Sequence, residues 1–258
     1  MRILFVADVF GRPGRRALEW GLARLGAPDG LLVVNGENAA GGFGITPEIA
    51  REFLALGVDV ITTGNHVWDK REIYDFLDTE PRLLRPDNYP RGNPGRGIWT
   101  GEAGGVSCAV LNLQGRVFMK EIDCPFLRFD SLLEEPGVRE ARIVIVDFHA
   151  EATAEKIALA RYADGRVTAV IGTHTHVPSA DARVLPGGTA YVTDAGMTGP
   201  HGGVIGVDAG AAVERFVRQT PNRFTVATDD VRFQAISIDA DEGTGRARSI
   251  ERIDEPVR

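Results

Sequence analysis

The chain has 258 residues, 43% hydrophobic and 25% charged, with a formal net charge of −7. That is long enough to bury a core without staples, and the composition excludes a disordered, collagen-like or coiled-coil chain. The acidic balance argues against non-specific binding to duplex DNA or an anionic membrane. The two cysteines, Cys108 and Cys124, form no CxxC pair, which argues against a disulfide scaffold, a zinc ribbon or an iron–sulfur site and fits a reducing cytoplasm.

In chain order, residues 3–7 form an apolar run cut by Asp8, too short for the core of a secretory leader, and read as a buried central strand. Residues 12–25 carry Ala17, Leu18, Leu22 and Leu25 at helical spacing. Residues 31–34 predict a second buried strand. Thr46-Pro47-Glu48 opens a helix with an N-cap hydroxyl, a proline at the first position and an acid near the positive end of the dipole, and that helix should end near Gly57. A third strand is expected at 58–62 and a short helix at 69–77. Residues 85–97 hold three prolines and three glycines and must be loop. Strands at 98–102 and 106–113 flank Gly104-Gly105, a two-residue hairpin turn. Helix is expected at 126–133, strand at 142–148, helix at 153–162, and strands at 167–171 and 190–193. Helix follows at 209–218, and an antiparallel pair at 232–239 and 246–253 closes the chain. Alternating strands and helices predict an α/β protein. The hairpins predict a second sheet beside the parallel one, and the absence of a linker or repeat predicts one domain over residues 1–258. No stretch approaches the ~20 apolar residues of a membrane span.

Ligands of open α/β sheets sit beyond the carboxyl ends of the strands. There the sequence delivers Asp8, then Asn35-Gly36-Glu37-Asn38, then Gly64-Asn65-His66, then His149, then Gly172-Thr173-His174-Thr175-His176. Four of the five histidines stand at those exits. Imidazole with carboxylate is the usual donor set for Zn, Fe and Mn. A two-metal centre needs a bridging carboxylate, for which Glu37 is a candidate. His174 and His176, two apart on what should be extended backbone, are expected to point to the same side. The fifth histidine, His201, lies in a glycine-rich loop and reads as exposed or substrate-side. The glycines of residues 39–44 fit a phosphate-binding loop or simple backbone room beside crowded ligands.

In this order and spacing the motifs resemble the calcineurin-like metallophosphoesterases, which use Asp-x-His, Gly-Asp, Gly-Asn-His, a lone His and Gly-His-x-His. The chain departs from that pattern twice. Phe10 stands at a metal-binding histidine position, and Glu37 at the bridging aspartate position. Both departures resemble the bacterial 2′,3′-cyclic-nucleotide 2′-phosphodiesterase branch. So do Asn35-Gly36-Glu37-Asn38-Ala39, Gly64-Asn65-His66-Val67-Trp68-Asp69, Arg85-Pro86-Asp87-Asn88-Tyr89-Pro90, Gly115-Arg116-Val117-Phe118-Met119, Asp147-Phe148-His149-Ala150-Glu151 and the stretch from Thr193 to Pro200. The similarity runs over nearly the whole chain.

The resemblance implies a two-sheet β-sandwich flanked by α-helices and two divalent or trivalent transition-metal ions, Fe or Mn foremost, with Zn or Co accepted. Asp8, Glu37, Asn38 and His176 would hold one metal, Asn38 covering the donor lost at Phe10. Glu37, Asn65, His149 and His174 would hold the other. His66 would be the general acid or a phosphate contact. The implied reaction is hydrolysis of a small phosphodiester, a 2′,3′-cyclic nucleotide, by a water held between the metals. The alternatives at the same centre are a phosphomonoesterase or an RNA-end nuclease, with substrate choice in loops 85–97 and 116–125. A regulatory protein with a non-catalytic metal is a further alternative. A cytoplasmic location, no membrane partner and an open question of homo-oligomerisation complete the expectation.

Overall fold

The computed structural model describes residues 1–26 and 28–258. Four successive apolar residues explain the first element. In β1 (Arg2–Val6), Ile3 and Phe5 face one core while Leu4 and Val6 face another, so the strand is buried on both sides. A two-residue strand, β2 (Asp8–Val9), follows, and then α1 (Gly11–Leu25), β3 (Leu31–Asn35), α2 (Pro47–Ala55), β4 (Val60–Thr62) and α3 (Ile73–Thr79). The chain continues with β5 (Ile98–Ala103), β6 (Val106–Gln114), α4 (Pro125–Leu133), α5 (Pro136–Arg139), β7 (Ile143–His149), α6 (Thr153–Ala163) and β8 (Ala169–Thr173). It ends with β9 (Arg183–Val184), β10 (Ala190–Val192), β11 (Met197–Pro200), α7 (Ala209–Arg218), β12 (Val231–Ala240) and β13 (Ala247–Pro256).

The strands form two mixed sheets. One runs β2-β11-β12-β1-β3-β4, with β13 on β12; the other runs β5-β6-β7-β8-β10-β9. β1, β3 and β4 are parallel in the first, and β6, β7, β8 and β10 in the second. The inner faces pack together: Ile3, Phe5 and Val33 meet Val110, Ile145 and Ile171 in one buried cluster. On the outer face of the first sheet, Leu4, Val6 and Leu32 pack under Leu18 of α1 and Phe53 of α2. On the outer face of the second, Leu111, Val146 and Val170 pack under Phe129 of α4 and Leu159 of α6. The result is the expected α/β architecture, a two-sheet sandwich flanked by helices. Among the described residues no helix is long and apolar enough to cross a membrane.

The departures from expectation are local. The hairpins do not build a separate sheet: β5/β6 edges the second sheet and β12/β13 the first. The turn between β5 and β6 is the two-glycine turn expected, with φ of 57° at Gly104 and 76° at Gly105. The helix expected at 69–77 starts only at Ile73, because Asp69 is taken up in a turn that faces back on His66. Elements β2, β9, β11 and α5, of two to four residues, are too short to carry a hydrophobic period and escape detection.

Candidate metal centre

The exits of both sheets meet at one end of the sandwich. Asp8 sits just past β1, Glu37 and Asn38 just past β3, and Asn65 and His66 past β4. His149 is the last residue of β7, and His174 and His176 follow β8. Asp8, Glu37, Asn38, His149 and His176 are buried, so their polar atoms need partners within the protein.

One group of atoms surrounds His149 Nε2. Glu37 Oε1 lies 3.0 Å away, Asn65 Oδ1 3.1 Å and His174 Nδ1 3.1 Å. The ligand atoms of Glu37, His149 and His174 all fall within 4.8 Å of one another. Their hydrogen-bond partners fix which nitrogens carry protons. His149 Nδ1 is 2.9 Å from Thr173 Oγ1, whose hydroxyl donates to Asp147 Oδ1 at 2.7 Å, so Nδ1–H is the donor and the Nε2 lone pair faces the group. His174 Nε2 is 3.1 Å from Glu151 Oε2, which leaves the His174 Nδ1 lone pair facing His149. Four acceptors thus point inward. Glu37 Oε1, although close to His149, has no hydrogen-bond partner among the described residues. A proton on His149 Nε2 answers one of these acceptors; a cation answers all four.

The pKa shifts follow this crowding. Burial alone would lower His149, but the Glu37 charge and contact outweigh it and push the imidazole up to about 9. Burial alone would raise Glu37, but His149, His66 and His174 bring it down to about 2. Burial, with His149 beside it, takes His174 down to about 3.

A second group lies around His176 Nε2. His176 Nδ1 faces the Ile205 carbonyl at 3.1 Å, so Nδ1 is the donor and Nε2 carries the lone pair. Burial also lowers the His176 pKa, which keeps the ring neutral. Asn38 donates through Nδ2 to the Gly42 carbonyl at 2.9 Å, which turns its Oδ1 toward His176 Nε2 at 3.2 Å. Two acceptors therefore face each other, and Asp8 Oδ2 joins them 3.8 Å from His176 Nε2. Asp8 Oδ1 is buried without a hydrogen-bond partner among the described residues. Burial raises the Asp8 pKa well above the usual carboxylate range, against the His149 charge. In both groups, mutually repelling lone pairs and orphaned carboxylate oxygens fit cations of the Fe, Mn, Zn and Co type, which accept mixed N and O donors.

His174 and His176 do not share a side of an extended strand. Their φ values are 99° and 63°, and the left-handed backbone sends one ring to each group. His66 stands apart from both groups. Its Nδ1 is 2.9 Å from Asp69 Oδ2, its ring meets Phe43 edge-on at 5.0 Å, and its backbone N–H donates to Glu37 Oε2 at 3.3 Å. Phe10 is buried and sets its ring edge-on to His176 at 5.6 Å, so it packs behind the second group instead of donating to it. Gly64 has to be glycine: a Cβ there would overlap Glu37 Oε2 and His149 Nε2. His201 is half-buried, with Nε2 2.9 Å from the Met197 carbonyl.

Several supporting side chains carry no sequence signal of their own role. Asp147 holds Thr173 and accepts from Asn35 Nδ2 at 2.9 Å. Asp194 is buried, pairs with Lys156 Nζ at 2.8 Å and accepts from both the backbone N–H and the hydroxyl of Thr175, the residue between the two site histidines. Beside the two groups opens a cavity of about 480 Å³ whose walls include Phe10, Phe43, His66, Ile205, Phe216 and Phe224.

The chain has relatives over nearly its whole length. The model of the family described as YmdB-like protein matches residues 4–253. The chain is 50% identical over 255 residues to the 2′,3′-cyclic-nucleotide 2′-phosphodiesterase of Bacillus subtilis, an alignment that covers 98% of this chain and 96% of that one. It superposes on a protein of Thermus thermophilus with a TM-score of 0.90 at 44% identity, covering 99% of this chain and 100% of the other. It also superposes on a novel phosphatase from Mycoplasma pneumoniae with a TM-score of 0.91 at 33% identity, covering 99% and 94%.

Proposed function

The chain belongs to the YmdB-like protein family, and on that premise we propose that it is a metal-dependent phosphodiesterase that hydrolyses 2′,3′-cyclic nucleotides. The observation that carries this reading is the pair of converging acceptor groups, each a mixed nitrogen and oxygen donor set. Asp8, Glu37, Asn38 and His176 would hold one ion. Glu37, Asn65, His149 and His174 would hold the other, with Glu37 common to both. Iron or manganese is the favoured occupant, with zinc or cobalt accepted by the same donors. Such a pair supplies Lewis acidity: it lowers the pKa of water from 15.7 toward neutrality and offsets charge on phosphoryl oxygens.

The chain's own residues do the rest. The Asp147–Thr173 pair holds His149 in the tautomer that keeps Nε2 a donor of electrons, and Glu151 does the same for His174 Nδ1. Asp69 takes the Nδ1 side of His66, so the opposite nitrogen, Nε2, is the one that gives a proton to the departing ribose oxygen. The apolar walls of the cavity exclude water and receive the nucleoside; its volume, about 480 Å³, lies in the range of small-molecule sites. Because the two sheets supply donors to both groups, residues 1–258 act as one unit. A reducing cytoplasm suits this donor set and the two free cysteines.

The test is hydrolysis of 2′,3′-cyclic AMP by protein stripped of metal and then reloaded with Mn or Fe. The expected outcome is no turnover when stripped, recovery on reloading, and a nucleoside 3′-phosphate as product. Turnover that ignores chelation, or hydrolysis of p-nitrophenyl phosphate with the cyclic nucleotide untouched, would overturn it.

A further inference from the structure

On the other side of the loop that carries Asn38 lies a second, larger cavity of about 710 Å³. Arg12, Arg15 and Arg16 line it, facing Val226 and Thr228, and among the described residues no acid lines it. In a chain of net charge −7 this is a local reversal of sign. The three arginines are not equivalent. Arg15 is committed: its Nη1 donates to the Ala39 carbonyl at 2.9 Å and its Nε lies 3.7 Å from Glu52. Arg12 and Arg16 are exposed and, among the described residues, form no ion pair. Free guanidinium groups of this kind match a phosphate oxygen fork.

The position of the cavity says which phosphate. Gly41 lines this cavity, while Gly42 and Phe43 line the cavity beside the metal groups. Adjacent Cα atoms are about 3.8 Å apart, so at this point the two cavities lie on either side of one loop. A cyclic mononucleotide has one phosphate and cannot occupy both places. A nucleotide chain whose last residue bears the cyclic phosphate can, with its preceding phosphodiester lying over Gly41.

We propose that Arg12 and Arg16 form a subsite for the phosphodiester group preceding the terminal nucleotide, and that the substrate class is single-stranded RNA ending in a 2′,3′-cyclic phosphate. This rests on the cyclic-nucleotide reading above and narrows it. It also places the enzyme after a defined chemistry. A 2′,3′-cyclic end forms when a ribose 2′-hydroxyl attacks the neighbouring phosphodiester, the new O–P bond replacing the bond to the leaving 5′-oxygen, which takes the proton. The supplying reaction is therefore RNA cleavage by transesterification. Hydrolysis here adds one water, breaks the 2′ O–P bond and leaves a 3′-phosphate end.

The experiment compares 2′,3′-cyclic AMP with a short oligoadenylate ending in a 2′,3′-cyclic phosphate, on metal-loaded wild type and on the doubly substituted Arg12→Ala, Arg16→Ala protein. Wild type should show the lower KM on the oligonucleotide. The double variant should raise that KM on the order of tenfold with kcat unchanged. Its kinetics on the cyclic mononucleotide should not move. The slope of log KM against log salt for the oligonucleotide should fall by about 1.4, two phosphate contacts at about 0.7 each. Fluorescence anisotropy with a labelled oligonucleotide ending in a 3′-phosphate should show the same weakening without turnover. Both residues are exposed, so the variant should melt like wild type. An unchanged oligonucleotide KM and salt slope would overturn the subsite while leaving the cyclic-nucleotide reading intact. Failure of wild type on both substrates would instead remove the reading on which the subsite rests.

Discussion

Behind His149 stand side chains from the sheet interior: Thr173 closes β8, Asp147 lies within β7, and Asn35, which ends β3, steadies Asp147 from the other sheet. Behind His176 and Asn38 stand backbone carbonyls of loops, Ile205 and Gly42. The first acceptor group inherits its geometry from strand register and a buried polar relay. The second depends on how two loops close over Phe10. Two halves of one centre thus draw their rigidity from different sources, and substitutions should separate them.

The largest effect is expected where the halves meet. Glu37→Gln keeps the shape but removes the charge proposed to serve both groups. Metal content should fall in both, and turnover should drop by more than the roughly 10²–10⁴-fold attached to a single proton-transfer group. Elemental analysis showing two metals per chain in that variant would break the bridge assignment. Gly64→Ala should act in the same direction, since its new Cβ would displace Glu37 and His149 together.

Next comes a residue that belongs to neither half. His66→Ala should retain both metals and lose turnover by roughly 10²–10⁴-fold. Asp69→Asn, which only loosens the ring, should lose less. Unchanged turnover in His66→Ala would remove His66 from the reaction.

The comparison itself is sharpened by a matched pair. Thr173→Val frees His149 to place its proton on either nitrogen, and should weaken one metal by about 10–100-fold, the usual scale for a supporting hydrogen bond to a ligand. Gly42→Ala strains a position at φ 97° and drives a methyl into Phe10, so it should disturb Asn38 and weaken the other metal. Metal titrations should show one tight and one weak site in each variant, with the weak site exchanged between them. If both variants weaken the same metal, the division into two differently supported groups is wrong.

Much of this was legible in the sequence because strand ends announce themselves. Continuous apolar runs such as residues 3–7 and 31–34 stop at polar side chains, and those side chains line the centre. The α/β class followed from the same runs alternating with helices, whereas the two-sheet sandwich was implied by the family resemblance of the motifs. What stayed hidden was whatever depends on a contact across the sheets. Asp147 and Asp194 look like ordinary polar residues in their own segments; only the fold brings Thr173 and Lys156 to them. The reach of His174 and His176 was misread because period-two reasoning assumes extended backbone, and both residues adopt positive φ. The arginine-lined cavity was hidden because Val226, Thr228 and Val257, far along the chain, form the wall opposite Arg12.

The smallest effect expected is one of pH, and it concerns the group around His149. His149 is raised from 6.5 to about 9 by Glu37, so in metal-free protein its stabilising share is complete below pH 6.5 and is lost as pH rises through 9. Glu37, lowered from 4.5 to about 2, contributes above pH 4.5 and loses its share as pH falls through 2. His174, depressed to about 3, takes up a proton more readily when unfolded and so costs stability as pH falls below 6.5. The three together put the stability maximum of the metal-free protein near pH 6.5, with Tm declining toward pH 9. The decline should be a few °C, at the roughly 2–4 °C per kcal/mol of a chain this size. Metal at His149 Nε2 takes the place of that proton, so loaded protein should keep its Tm over the same interval, and loading at pH 7 should release protons. A metal-free protein whose Tm is flat from pH 6.5 to 9 would mean that His149 carries no such proton, and the case for three acceptors crowding His149 Nε2 would lose its solution counterpart.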